Sequence, residues 1–146
     1  RRVLPIDRTG ELIEAPPSFM LIVSYNPGYQ SVLKDLKDST RQRMVAIEFG
    51  YPAPEVEESI VVAETGLDRA AAADLVRLGQ AIRRLETGGL REVASTRVLI
   101  TAGRLIREGL GPREAARAAV AGPLTDDPVV TRGLVEIIDT YLPAGD

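Results

Sequence analysis

The sequence contains neither cysteine nor histidine. The first absence removes disulfides and thiol nucleophiles, the second removes the commonest general base, and together they remove zinc sites of the usual type. Aromatic residues are only 4% of the chain, so a core has to be built from Leu, Ile, Val and Ala. Lysine is scarce as well. Of the 18 basic residues only Lys34 and Lys37 are lysines, and the rest are arginines, which keep their charge in any setting and bind carboxylate or phosphate in a fork. No apolar run approaches the roughly 20 residues of a membrane span, and no secretory hydrophobic core is present. On that basis the chain is read as cytoplasmic. Its net charge is −3, so no global positive field draws in nucleic acid. A G-x-x-x-x-G-K-[ST] loop is absent, and no apolar run ending in Asp-Glu precedes Phe19. These residues therefore offer neither a phosphate cradle nor a Mg²⁺ ligand pair.

What is present is ordinary for a globular protein, at 45% apolar and 27% charged residues over 146 positions. The organising stretch is Phe19-Met20-Leu21-Ile22-Val23-Ser24-Tyr25-Asn26-Pro27-Gly28. A short apolar run without alternation reads as a strand buried on both faces, as in parallel sheets. Pro27 cannot continue a ladder and Gly28 suits a sharp turn. Asn26 then stands at the carboxyl end of a strand, where open α/β sheets bind ligands, or it merely starts the turn. Before it, Arg1 to Ile6 and Glu11 to Ala15 flank Asp7-Arg8-Thr9-Gly10 and predict a β-hairpin whose first strand, carrying Pro5, is an edge. Pro16-Pro17 ends that hairpin. After Gly28, the polar stretch Tyr29 to Thr40, with Val32, Leu33 and Leu36 spaced 3–4 apart, predicts a loop with a short helix, and Met44 to Phe49 read as a second buried strand. Gly50-Tyr51-Pro52-Ala53-Pro54 marks a domain boundary.

From residue 55 the period is helical. Glu55 to Thr65 is a helix stopped by Gly66. Asp68 caps a second helix to about Glu86, with Leu75, Leu78, Ile82 and Leu85 inward, and Thr87-Gly88-Gly89 ends it. Ser95 caps a third with Val98, Leu99, Ala102, Leu105 and Ile106 inward. Pro112 starts a short Ala-rich fourth. Asp127 caps a fifth, with Pro128 first and Val130, Leu134, Ile137, Ile138 and Tyr141 in one stripe. Five short-looped helices form a small helical domain. Two buried strands do not make a stable sheet alone. The chain is therefore expected to be the C-terminal part of a larger α/β protein, with its helical domain complete.

Three features could carry chemistry. Asn26 is the first. Arg41 and Arg43, just before the second apolar run, could meet an anion at the rim of a sheet or could be surface residues of a short helix. In Ser95-Thr96-Arg97, Arg97 falls in a first helical turn, where a cation is unfavourable by roughly 0.3–1 kcal/mol. The position makes sense if an anion binds there, because dipole and guanidinium then act together; otherwise the side chain reaches past the turn into water. Asp126-Asp127 read as a turn and helix cap rather than metal ligands.

In order along the chain, Ser24-Tyr25-Asn26-Pro27-Gly28-Tyr29-Gln30, Leu33-Lys34-Asp35-Leu36, Ser39-Thr40-Arg41-Gln42-Arg43, Glu64-Thr65-Gly66, Gly89-Leu90-Arg91-Glu92, Ser95-Thr96-Arg97 and Pro123-Leu124-Thr125-Asp126-Asp127 carry a resemblance. Together they resemble an AAA+ ATPase of the MoxR type, in the CbbQ/NirQ/NorQ family, over essentially the whole chain. The resemblance implies an α/β fold class: a partial AAA+ P-loop core over residues 1–50, with hairpin and buried parallel strands, followed by an all-α helical lid domain over residues 51–146. It implies Asn26 as sensor 1, positioning the attacking water. It implies Arg43 as the arginine finger acting on a neighbouring subunit, with Arg41 the weaker candidate, and Arg97 as sensor 2 on the nucleotide phosphates. It further implies ATP and Mg²⁺ in the intact protein, a hexameric ring, a partner with a von Willebrand A-type domain, and a client enzyme such as Rubisco or nitric oxide reductase. The family's Walker A and Walker B elements are expected upstream of Arg1, so this chain alone is expected to be inactive and to hold no cofactor. Two other readings remain: a helical assembly or adaptor module without ATPase activity, and a nucleic-acid binder using Arg-rich helices, which the acidic balance and few aromatics disfavour.

Overall fold

The computed structural model describes residues 3–24, 38–85 and 94–145, and its chain divides into two units, Arg1–Glu48 and Phe49–Asp146. In the first unit, β1 (Val3–Ile6) pairs antiparallel with β2 (Glu11–Glu14). The register sets Val3 opposite Glu14 and Pro5 opposite Leu12. The turn closes with the N–H groups of Thr9 and Gly10 on the Ile6 carbonyl at 3.1 and 2.9 Å. Gly10 has φ 71°, a conformation that favours glycine. The expected hairpin is therefore present, Pro5 included.

The two runs expected as buried strands are not. Phe19–Ser24 and Met44–Gly50 have no regular structure, and Ile22 and Val45 are 82% and 89% exposed. The described sheet has two strands only. A strand needs a neighbour to take its N–H and C=O groups, and a double-sided apolar run needs a covering layer on each face. No described residues supply either to these segments. A short helix, α1, spans Asp38–Arg41. Asn26, the helical segment expected around Val32 to Leu36 and the Thr87-Gly88-Gly89 stop lie outside the described residues.

The second unit is helical: α2 (Pro54–Thr65), α3 (Arg69–Arg84), α4 (Thr96–Arg107), α5 (Pro112–Ala116), a π-helical turn at Arg117–Ala121, α6 (Gly122–Leu124) and α7 (Pro128–Tyr141). Local chemistry sets the ends. Pro54, Pro112 and Pro128 stand at helix starts, where a missing N–H costs nothing. Gly66 ends α2 at φ 71°, its N–H on Val62 O at 2.9 Å. The Asp68 carboxylate caps α3 through the Ala71 N–H at 2.9 Å. The Ala-rich stretch expected as one helix widens into the π turn just before Pro123, and the Gly122 N–H reaches back to Arg117 O. Pro123 has no N–H to continue an α ladder and its ring crowds the preceding turn.

Helices of 12 to 16 residues are marginal alone. Burial holds them, at roughly 1.5–3 kcal/mol per large apolar side chain. Leu75, Leu78 and Ile82 of α3 meet Val61, Leu99, Ala102, Val120, Leu134 and Ile138 in one core. α3 packs against α2, α4 and α7. Two glycines let backbones approach: a Cβ at Gly79 would stand 2.8 Å from Leu99 Cδ1, and one at Gly103 2.8 Å from Thr65 Cγ2. Leu85, expected inward, is exposed because α3 ends one residue earlier and the stripe ends with it.

Candidate functional site at the start of the fourth helix

Glu57 lies in the first turn of α2, on the same face as Val61 and Thr65, and all three are buried. A buried carboxylate is costly unless paired and hydrogen-bonded. Arg83, in the last turn of α3, meets that need. Its Nη1 and Nη2 donate to Glu57 Oε2 and Oε1 at 2.8 and 2.7 Å, a bidentate fork. Its Nε donates to the Ala94 carbonyl at 2.7 Å, and its Cζ lies 3.8 Å from the centre of the Tyr51 ring. The Thr96 hydroxyl, on the first residue of α4, donates to Glu57 Oε1 at 2.6 Å. Burial pushes the Glu57 carboxyl up, but the hydrogen bonds from Arg83 and Thr96, with the charge of Arg83, outweigh it. The group is held below its ordinary value of 4.5.

This cluster grips the chain on both sides of Ser95, which is the N-cap of α4 by backbone geometry. The Ser95 side chain makes no capping hydrogen bond there. In α7, by contrast, Asp127 Oδ1 accepts the N–H groups of Val129 and Val130 at 2.7 and 3.4 Å. The expected role of Asp127 as a cap is thus shown, whereas Ser95 holds the cap position without the cap bond. Arg97 stands in the first turn of α4, exposed, and its guanidinium pairs with no carboxylate among the described residues.

The remaining sequence-predicted residues fall elsewhere. Arg43 is exposed in the first unit, its backbone N–H on Thr40 O at 3.1 Å. Arg41 closes α1, and Asn26 lies outside the described residues. Arg43 and Arg97 belong to different units of the chain. No group of three or more acidic residues able to hold a metal ion occurs among the described residues. No described helix is long and apolar enough to cross a membrane.

Sequence reasoning missed Glu57 and Arg83. The available signal was a carboxylate at the start of the Glu57-x-x-x-Val61-x-x-x-Thr65 stripe, an inward position at helical spacing.

Residues 57–141 match the family described as CbbQ/NirQ/NorQ C-terminal. That match lies wholly within the helical unit. The chain is 58% identical over 142 residues to the denitrification regulatory protein NirQ of Pseudomonas aeruginosa, covering 97% of this chain and 55% of that protein. It is 55% identical over 137 residues to protein NorQ of Paracoccus denitrificans, covering 94% of this chain and 51% of the relative. It is 52% identical over 128 residues to protein CbbQ of Hydrogenophilus thermoluteolus, covering 88% and 48%. The chain thus spans about half the length of the curated relatives it matches. With a family match over most of the helical unit and relatives this similar along nearly the whole chain, the protein belongs to the CbbQ/NirQ/NorQ family.

Proposed function

We propose that these residues are the C-terminal half of a ring-forming AAA+ ATPase that couples ATP binding and hydrolysis to remodelling or activating a client metabolic enzyme. Residues 1–50 then belong to the α/β core and residues 51–146 form the lid. The observation that carries the reading is the family match together with Arg97, a cation that pairs with no carboxylate among the described residues, in the first turn of a helix whose N-cap serine makes no capping bond. The Val98 N–H turns to Ser95 O at 3.1 Å, and the Ser95 side chain caps none of the first-turn N–H groups; the uncapped donors, the positive dipole end and a guanidinium make a set that fits a phosphate. Arg97 would bind nucleotide phosphate from the lid, Arg43 would reach the nucleotide of an adjacent subunit, and Asn26 would orient water. Exposure of Arg43 suits a residue that acts outside its own subunit. A hexameric ring, a von Willebrand A-type partner and a Rubisco or nitric oxide reductase client belong to the same proposal, as does a cytoplasmic location.

Phosphoryl transfer of this class is mostly positioning and charge stabilisation. In the intact protein Arg43→Ala is therefore expected to leave ATP affinity nearly unchanged and to remove most hydrolysis, by as much as about 10³–10⁵. Mixing these subunits with subunits lacking the P-loop lysine should restore part of the activity. If the mixture stays inactive, Arg43 is not a finger acting across subunits. Arg97→Ala should narrow the preference for ATP over ADP, and unchanged affinities would return Arg97 to the status of a solvated side chain. The 146-residue chain by itself should bind no ATP in calorimetric titration, since its sequence contains no phosphate-cradling loop; micromolar binding would contradict this.

A further inference from the structure

We infer that Glu57, Arg83 and Thr96 are positioning residues that fix the start of α4, and with it Arg97, from behind. This inference rests on the proposed nucleotide role of Arg97 for its functional consequence and on geometry alone for its structural part. α3 and α7 begin with an aspartate whose carboxylate takes first-turn N–H groups. α4 begins with a serine whose side chain takes none. Its start is secured differently: Arg83 Nε holds the carbonyl of Ala94, one residue before the N-cap, and Glu57 holds the hydroxyl of Thr96, one residue after it. Both anchors meet in one buried ion pair, with Glu57 0% and Arg83 10% exposed. Tyr51, at the beginning of the helical unit, covers the guanidinium. Among the described residues the helix is thereby anchored without the N-cap serine's side chain on its first-turn N–H groups, and the next residue along is Arg97. A side-chain cap would anchor the helix equally well but would occupy the donors an anion needs.

The arrangement yields a test in the intact protein. Thr96→Val removes the hydroxyl bond at nearly constant volume and leaves the ion pair in place, whereas Thr96→Ser keeps the bond. By amide hydrogen exchange, Thr96→Val should speed exchange of Leu99 and Ile100, in the first turns of α4, by roughly tenfold, the size expected for losing a hydrogen bond to a charged group. Amides of Leu78 in α3 and Ile138 in α7 should change little, and Thr96→Ser should behave like the parent. Unchanged protection at Leu99 and Ile100, or an equal rise in all helices, overturns the anchoring role. Nucleotide binding reads the consequence. Thr96→Val should weaken ATP about as much as Arg97→Ala does, and adding it to Arg97→Ala should weaken ATP no further. If Thr96→Val weakens ATP undiminished in the Arg97→Ala background, it does not act through Arg97 and the positioning role is wrong. If Arg97→Ala alone leaves ATP binding unchanged, the nucleotide reading fails, and the exchange result still decides whether the cluster anchors α4.

Discussion

Arg83 holds both carboxylate oxygens of Glu57 across 26 residues of chain, at 2.8 and 2.7 Å. The pair ties the end of α3 to the start of α2, and Thr96 adds the start of α4 to the same carboxylate. Three helices thus depend on one buried acid. The contrast within the unit is Arg104 and Glu64, also a pair between helices at 3.1 Å, whose side chains are 61% and 53% exposed.

Arg83→Ala should accordingly destabilise the helical unit by about 3–5 kcal/mol, because it leaves Glu57 buried without its partner. Arg104→Ala should cost no more than about 1 kcal/mol, since an exposed pair gains little in water. Urea unfolding followed by far-ultraviolet circular dichroism measures both. Comparable losses for the two variants would mean that Glu57 escapes to solvent when Arg83 is removed.

The same acid sets an expectation for pH. Its folded value lies below the ordinary 4.5, so its contribution to stability is complete above the unfolded value. That contribution is lost as pH falls through the depressed folded value. The fall in stability on acidification should therefore be shallower in Glu57→Gln than in the parent, with the difference confined to pH values below about 4.5. Urea midpoints taken from pH 7 down to pH 3 give the two slopes. Parallel acid limbs would show that Glu57 is not depressed in the folded state.

What could be read from sequence divides by how local its cause is. Gly66 ending α2, Asp68 opening α3 and Pro128 after Asp127 opening α7 are decided within a few residues, and each is found where the pattern put it. The hairpin is equally local, since Asp7 to Gly10 make the turn and Pro5 marks an edge. The apolar runs at Phe19 to Val23 and Met44 to Phe49 carry a strand pattern, but a strand is completed by neighbours that a local pattern does not supply. Glu57 and Arg83 were missed for a related reason: each looks like a surface charge until the other is placed beside it. Ser95 is a subtler case. Its position was legible, and its side-chain bond was not, because the competing anchors at Ala94 and Thr96 come from other helices.

That last contrast gives the final prediction. Asp127 Oδ1 takes the Val129 N–H at 2.7 Å and Asp68 Oδ1 takes the Ala71 N–H at 2.9 Å, so each satisfies a donor that the helix itself leaves open. Replacing either by alanine should cost about 0.5–2 kcal/mol, the usual range for a cap that bonds. Ser95 occupies the same backbone position at α4 but makes no such bond, so Ser95→Ala should cost less than about 0.5 kcal/mol, below that range. The three variants share the serine- or aspartate-to-alanine logic and differ in whether a bond exists to lose. Side-by-side urea unfolding of all three is therefore a direct reading of the α4 start in solution. If Ser95→Ala costs as much as Asp127→Ala, the serine caps the helix, its first-turn donors are occupied, and the open start proposed to receive phosphate beside Arg97 does not exist.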